Sequence, residues 1–420
     1  MTQSAITRPE PPALFRWTVL VIVSLAMFGN YYIYDCVSPL ADLLVKQLKF
    51  TDSDIGLLQG IYSFPNIIMV LIGGFIIDRI GTKKANLIFA VLCMLGAWIT
   101  AMSSSLVPMA IGRLIFGLGA ESMIVGVTTT LARWFKGKEL SFAFGLNLTI
   151  ARFGSFAALN SPTWGKSFYE YWQNPLWIAL FAGVISVISV VVYFFLDHFA
   201  EKSYDLKKED EPDKINLKEI FSFGKSFWLI SLLCVTFYSA MFPFQTFAVK
   251  FFMDVHGVSR ETGGFLSSML TLAAMVMTPL FGLLSDKIGR RATFMMYGSI
   301  LIIPVYSMMA YTHISLYIPM AILGISFSLI PAVMWPSVAL IVDQNKLGTA
   351  YGLMTMIQNI GLTGTNLLIG YVNDTTHTYT VGMLIFSVFG FIGFALAFLL
   401  KRNESGPNGH GLESPKLISK

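Results

Sequence analysis

Charge is what this chain has least of. Asp, Glu, Lys and Arg supply 13% of its 420 residues, against 55% that are hydrophobic, and a soluble fold of this size carries roughly twice that charged share. A mean hydropathy of +0.66 places the chain in a lipid bilayer instead. Cysteine is nearly as scarce. Cys36, Cys93 and Cys234 lie within or beside apolar stretches with no paired or metal-like spacing, so neither a disulfide framework nor a metal site is indicated. The five histidines, His198, His256, His313, His377 and His410, are scattered at the ends of apolar stretches and in the tail. No nucleophile, base or ligand cluster comes together in that pattern, so neither an enzyme nor a bound cofactor is expected. Polar sequence is short too: the one long tract is Glu201 to Glu219. Little is left for a soluble domain, which argues against a membrane receptor.

What is present is apolar length. A spanning helix needs about 20 apolar residues, and the sequence offers twelve such stretches, at about 15 to 40, 54 to 78, 83 to 104, 106 to 134, 139 to 163, 175 to 197, 226 to 252, 260 to 286, 291 to 312, 315 to 342, 347 to 372 and 379 to 400. The expected fold is therefore an all-α membrane protein. The net charge of +5 could suggest nucleic acid, but its placement points to the lipid bilayer as partner and to no nucleic acid. Arg79, Lys83, Lys84, Arg133, Lys136, Lys138, Lys287, Arg290, Arg291, Lys401 and Arg402 all fall at ends and turns that an even-numbered weave puts on one side. The opposite turns hold chiefly Lys46, Lys49, Lys166 and Arg260. This is the positive-inside pattern, and it assigns both termini to the cytosol. The segment Met1 to Pro12 reads as a retained polar tail, and Asn373-Asp-Thr375 has the form of a glycosylation sequon, a triplet common by chance.

One turn occurs twice. Gly74-Phe-Ile-Ile-Asp78-Arg79-Ile-Gly81-Thr-Lys83-Lys84 returns as Gly282-Leu-Leu-Ser-Asp286-Lys287-Ile-Gly289-Arg290-Arg291, each copy joining two apolar stretches. The duplication continues, since Leu140-Ser-Phe-Ala-Phe-Gly145-Leu-Asn147 aligns with Leu347-Gly-Thr-Ala-Tyr-Gly352-Leu-Met354, and span four overlays span ten with Gly117 on Gly324. The expected organisation is a tail at 1–14, a six-helix half at 15–198, a linker at 199–224, a second half at 225–401 and a tail at 402–420.

Two six-span halves with these turns resemble the major facilitator superfamily over nearly the whole chain. The resemblance implies a substrate site between the halves near the bilayer midplane, with the halves rocking about it to give alternating access. It also favours a role in conformational gating for Asp78, Arg79, Asp286 and Lys287; otherwise these residues only anchor their hairpins.

Charge inside a span is costly and is retained where it faces a cavity or a partner. Arg113, Glu121, Arg152 and Lys250 stand inside spans, and Asp35 stands near the end of the first. The twin of Glu121 is Ser328 and that of Arg152 is Asn359. The framework is duplicated and these charges are not, which makes them candidates for the ligand. Two readings stand: a buried Glu121–Arg152 pair that welds spans four and five, or a pair that opens onto a zwitterion, the carboxylate taking an ammonium and the guanidinium a carboxylate. Arg113, in Gly112-Arg-Leu-Ile-Phe-Gly117, is grouped with the gating residues as structural or coupling-related. Lys250 either snorkels to headgroups or supplies the cavity with a cation from the second half. Tyr62, Tyr238 and Trp335, beside prolines or polar positions of their spans, and the amides Asn147 and Asn359 complete the candidate substrate site; Tyr31, Tyr32 and Tyr34 also interrupt the first span.

A narrower likeness follows from Gly119-Ala-Glu121-Ser, Arg133-Trp-Phe-Lys-Gly-Lys-Glu139-Leu, Ala151-Arg152-Phe-Gly-Ser155, Tyr238-Ser-Ala-Met-Phe-Pro-Phe244, Trp335-Pro and Ile357-Gln-Asn359. In order across both halves, these strings resemble the lysosomal dipeptide uniporters of animals and their microbial relatives. That resemblance implies that Glu121 and Arg152 meet the termini of a dipeptide. The polar N-terminus shows no dileucine sorting signal, which favours a bacterial inner membrane over a lysosomal one. The expected function is uniport of dipeptides or similar zwitterions by a monomer. The rival is a carrier of organic anions or phosphorylated metabolites, proton-coupled in one version, binding through Arg113, Arg152 and Lys250.

Overall fold

The computed structural model describes residues 9–135, 139–204, 223–343, 346–407 and 409–413. Most of the expected linker, Lys136, Lys138 and the outer parts of both tails lie outside the described residues. Every regular element among those described is a helix, because a chain in hydrocarbon must satisfy its backbone donors and acceptors within each segment. The first half consists of α1 (Ala13–Asp35), α3 (Asp52–Ile80), α4 (Thr82–Met102), α5 (Leu106–Phe135), α6 (Leu140–Leu159) and α8 (Gln173–Ser203). Short helices α2 (Ala41–Leu48) and α7 (Ser161–Trp164) sit in its turns. The second half consists of α9 (Lys225–His256), α10 (Arg260–Ile288), α11 (Arg291–Tyr311), α12 (Tyr317–Ile341), α13 (Leu347–Thr376) and α14 (Thr380–Glu404). Phe75, Phe195 and Leu283, each more than 60% exposed, lie on the outer surface, where lipid is the natural solvent.

Ten of the long helices carry a stretch apolar enough to cross a bilayer, and α3 is the eleventh when taken as one span. The twelfth, α13, is diluted by Gln358, Asn359, Asn366, Asn373 and Asp374. Gln358 faces the cavity, Asn366, Asn373 and Asp374 face the other half, and Asn359 is buried. Helices alternate in direction, which puts both termini and the repeated turns on one face, called here the terminal face, with the α1–α3 and α9–α10 turns on the distal face.

The repeated turns show why their glycine is needed. Gly81 ends α3 at φ 80° and Gly289 ends α10 at φ 72°, in the left-handed region that a Cβ disfavours. At the distal face, Thr51 and Asp54 form a reciprocal capping box at the start of α3, and the Ser259 hydroxyl accepts from the Thr262 amide to start α10.

The halves meet along α3 with α13 and along α6 with α10. Polar contacts joining them cluster at the distal ends. Lys250 Nζ on α9 donates to Asp52 Oδ1 of α3 at 2.8 Å, and Arg260 pairs with Asp42, its Nη2 lying 2.6 Å from Oδ2. Lys166 pairs with Glu261 at 3.0 Å. Asp374, at the end of α13, accepts from the Asp52 and Ser53 amides at 2.8 Å each, so one half caps a helix of the other. Gly264 and Gly370 let backbones touch across the same seam: a Cβ at either would overlap the carbonyl of Leu159 or Asp52.

Candidate functional site

Below the distal seam the halves enclose a cavity of about 270 Å³, toward the small end of ligand pockets. Helical periodicity decides which residues reach it. Asn30, Tyr31, Tyr34 and Asp35 share one face of α1, and Thr355, Gln358 and Leu362 share one face of α13. Tyr62 comes from α3, Glu121 and Ile124 from α5, Arg152 from α6, Tyr238 and Phe242 from α9, and Trp335 from α12.

Three charges line this space: Asp35, Glu121 and Arg152. Tyr62 Oη donates to Glu121 Oε1 at 3.4 Å. The Arg152 guanidinium lies over two rings, Tyr31 at 5.2 Å and, from the second half, Phe327 at 5.7 Å. Among the described residues no ion pair joins Glu121 to Arg152, and α6 packs chiefly against α1 rather than α5. The pair therefore does not weld spans four and five; both groups present their charge to one cavity. Asp35 is 5% exposed and makes no ion pair among the described residues. Trp335 Nε1 donates to Tyr238 Oη at 3.0 Å, and Tyr351 Oη holds the Trp335 carbonyl at 3.1 Å. The Tyr34 ring is tilted against Tyr62 with centroids 4.8 Å apart and meets Phe242 of the other half edge-on at 6.1 Å.

Of the nine candidate substrate residues, Asp35, Tyr62, Glu121, Arg152, Tyr238 and Trp335 share the cavity, and three do not line it. Lys250 is a correction: it neither snorkels freely nor reaches the cavity, because Asp52 and the Tyr379 hydroxyl, at 2.6 Å, hold it in the distal seam. Asn147 is turned toward α1, its Oδ1 accepting from Ser24 Oγ at 3.0 Å. Asn359 is buried at 1% exposure and returns its amide to the Thr355 carbonyl. Its neighbour Gln358 occupies the cavity face instead, since one residue along a helix rotates a side chain by about 100°.

Arg113 is fully spent inside the first half. Its guanidinium donates to the carbonyls of Ile33 at 2.9 Å, Tyr34 at 3.3 Å and Leu58 at 3.3 Å, and to the Gln59 side chain. It braces α1, α3 and α5 above the cavity. Asp78, Arg79, Asp286 and Lys287 are exposed at the terminal face, where Asp286 pairs with Arg291 of its own half. Among the described residues none of the four joins the halves in this conformation. The residues missed in the sequence are Asn30, Ile124, Phe242, Thr355, Gln358 and Leu362; a signal existed for Thr355 and Gln358, polar side chains three positions apart in one span.

A model of the Major Facilitator Superfamily matches residues 23–361 and 244–419. The "Lysosomal dipeptide transporter MFSD1" of Mus musculus is 33% identical over 409 residues, covering 94% of this chain and 87% of that protein. Among solved structures, a point mutant of the "nucleoside transporter NupG" superposes with a TM-score of 0.75 at 13% identity, over 92% of this chain and 99% of that one. A "Bacterial Homolog to Human Lysosomal Transporter, Spinster, in Inward-facing And Unoccupied Conformation" gives 0.72 at 15% identity, over 93% and 98%.

Proposed function

Since the chain belongs to the major facilitator superfamily, and so is a multi-pass membrane transporter of small molecules and not an enzyme, we propose that it carries dipeptides or similar small zwitterions by alternating access, as a monomeric uniporter. The observation that carries this reading is that Glu121 and Arg152 open onto one cavity without closing on each other. An unpaired charge in a low-dielectric cavity is costly. A zwitterion offers each of them its counter-ion at once, its ammonium to Glu121 and its carboxylate to Arg152. The lysosomal relatives, named for dipeptides, support the same cargo. An organic anion would meet two carboxylates and a single guanidinium, because Arg113 and Lys250 are engaged elsewhere.

The basic residues of the terminal face support a cytosolic location for the termini. On that reading the closed distal seam corresponds to an inward-facing arrangement, and a bacterial inner membrane is the simplest home. The test is uptake of a labelled dipeptide into proteoliposomes. Glu121→Gln and Arg152→Ala should each lower it by roughly tenfold to a hundredfold, the worth of one charge-assisted contact; unaltered uptake in both variants overturns the assignment.

A further inference from the structure

Glu121 and Arg152 both belong to the first half. A ligand held by them alone would travel with that half and leave the second indifferent to its presence. Ligand binding shifts a conformational equilibrium only by favouring one state over another, so closure around cargo requires the second half to hold the same molecule. That half lends the cavity no charged side chain.

It lends neutral donors. Gln358 Oε1 accepts from the Cys234 thiol at 3.5 Å, and among the described residues its Nε2 has no partner. Tyr238 Oη accepts from Trp335 Nε1, which leaves the phenol's own proton to be donated, again with no acceptor among the described residues. Both side chains line the cavity opposite the charged pair. Free neutral donors facing a separated carboxylate and guanidinium suit a ligand with an uncharged acceptor between its two charged ends. Building on the dipeptide reading, we propose that Gln358, assisted by Tyr238, donates to the peptide-bond carbonyl of the cargo. The second half then reads the amide while the first reads the termini, and the amide distinguishes a dipeptide from a zwitterion of equal length without one.

The probe is 5-aminopentanoate, which separates ammonium from carboxylate by the same number of chain atoms as glycylglycine but has two methylenes where the peptide has its amide. Both compounds are compared, unlabelled, as inhibitors of labelled glycylglycine uptake by the full chain in proteoliposomes. In the wild type, 5-aminopentanoate should inhibit about tenfold more weakly or worse, since a site that hydrogen-bonds its substrate rejects an analogue lacking the acceptor. In Gln358→Leu the gap should narrow to about threefold or less through weaker glycylglycine binding; in Tyr238→Phe it should narrow partway. Each ratio compares two ligands on one preparation, so a lower folded fraction cancels. Equal inhibition in the wild type, or a gap unmoved in both variants, overturns this inference alone. Wild-type vesicles that take up no dipeptide overturn the reading of the cargo as well.

Discussion

Arg113 and Arg152 are the same residue type at intramembrane depth on consecutive spans, and they do different work because of what surrounds them. Arg113 is 2% exposed and meets three carbonyls and an amide side chain. Arg152 meets two aromatic faces and the cavity. Replacing Arg113 with Leu strips those carbonyls of their donor, at about 1–3 kcal/mol for each buried polar group left unmade. Arg113→Leu should therefore lower the thermal midpoint and yield of the detergent-solubilised protein, whereas Arg152→Ala should leave both near wild type and lower uptake by the roughly tenfold to hundredfold of one charge-assisted contact. A stable Arg113→Leu protein that only fails to transport would put Arg113 at the substrate. The sequence already set Arg113 apart as structural or coupling-related, but what it touches was not legible beforehand. Comparison of the two halves singles out Glu121 and Arg152 because a charge facing a serine or asparagine twin is visible in letters. The partners of Arg113 are backbone carbonyls, which every residue carries, and nothing in the sequence marks them. The same limit explains Asn359, where alignment identified the right turn of α13 and the helix rotation gave the cavity to Gln358.

Among elements, the decisive packing is that of α6 on α10 and α3 on α13, because those pairs form the distal seam. Gly264 on α10 stands so close to the Leu159 carbonyl that a Cβ has no space, and Gly370 on α13 stands likewise against the Asp52 carbonyl. Gly264→Ala should therefore hold the seam apart and shift the carrier away from the state closed at the distal face. The native cysteines are buried, so a reporter cysteine in place of Ser38, which is 3% exposed in the seam, can be read with an impermeant maleimide. Labelling should be slow in the single variant and several-fold faster when Gly264→Ala is added; equal rates would mean the seam does not depend on this contact. Lys250→Ala acts at the same place by another route, freeing Asp52 from its cation, and should also speed labelling, more strongly at low ionic strength. The helices themselves were readable from apolar length, and the repeated turns from Gly81 and Gly289. Gly264 and Gly370 were not, because a glycine required by a neighbour across the molecule looks like any other glycine in its own helix.

For the whole molecule the open issue is energy coupling, and the charge count of the cavity frames it. Two carboxylates, Asp35 and Glu121, face one guanidinium, Arg152. With a neutral dipeptide aboard, the ammonium answers Glu121 and the carboxylate answers Arg152, so the cargo brings no net charge and needs no proton to enter. In this reading the cargo leaves Asp35, one helical turn beyond the Tyr31 ring that Arg152 covers, without a contact of its own. A proton that drives transport must instead bind in one condition, loaded or empty, and leave in the other. Uptake of a neutral dipeptide should therefore stop at equal concentrations inside and outside, with or without an imposed pH gradient, while counterflow against preloaded unlabelled dipeptide proceeds. Accumulation driven by the gradient would replace uniport with symport. Asp35→Asn would then locate the proton: if it abolished accumulation but kept counterflow, the coupling site would be Asp35, and if it left accumulation intact, the remaining carboxylate of the cavity, Glu121, would carry both the proton and the ammonium in turn.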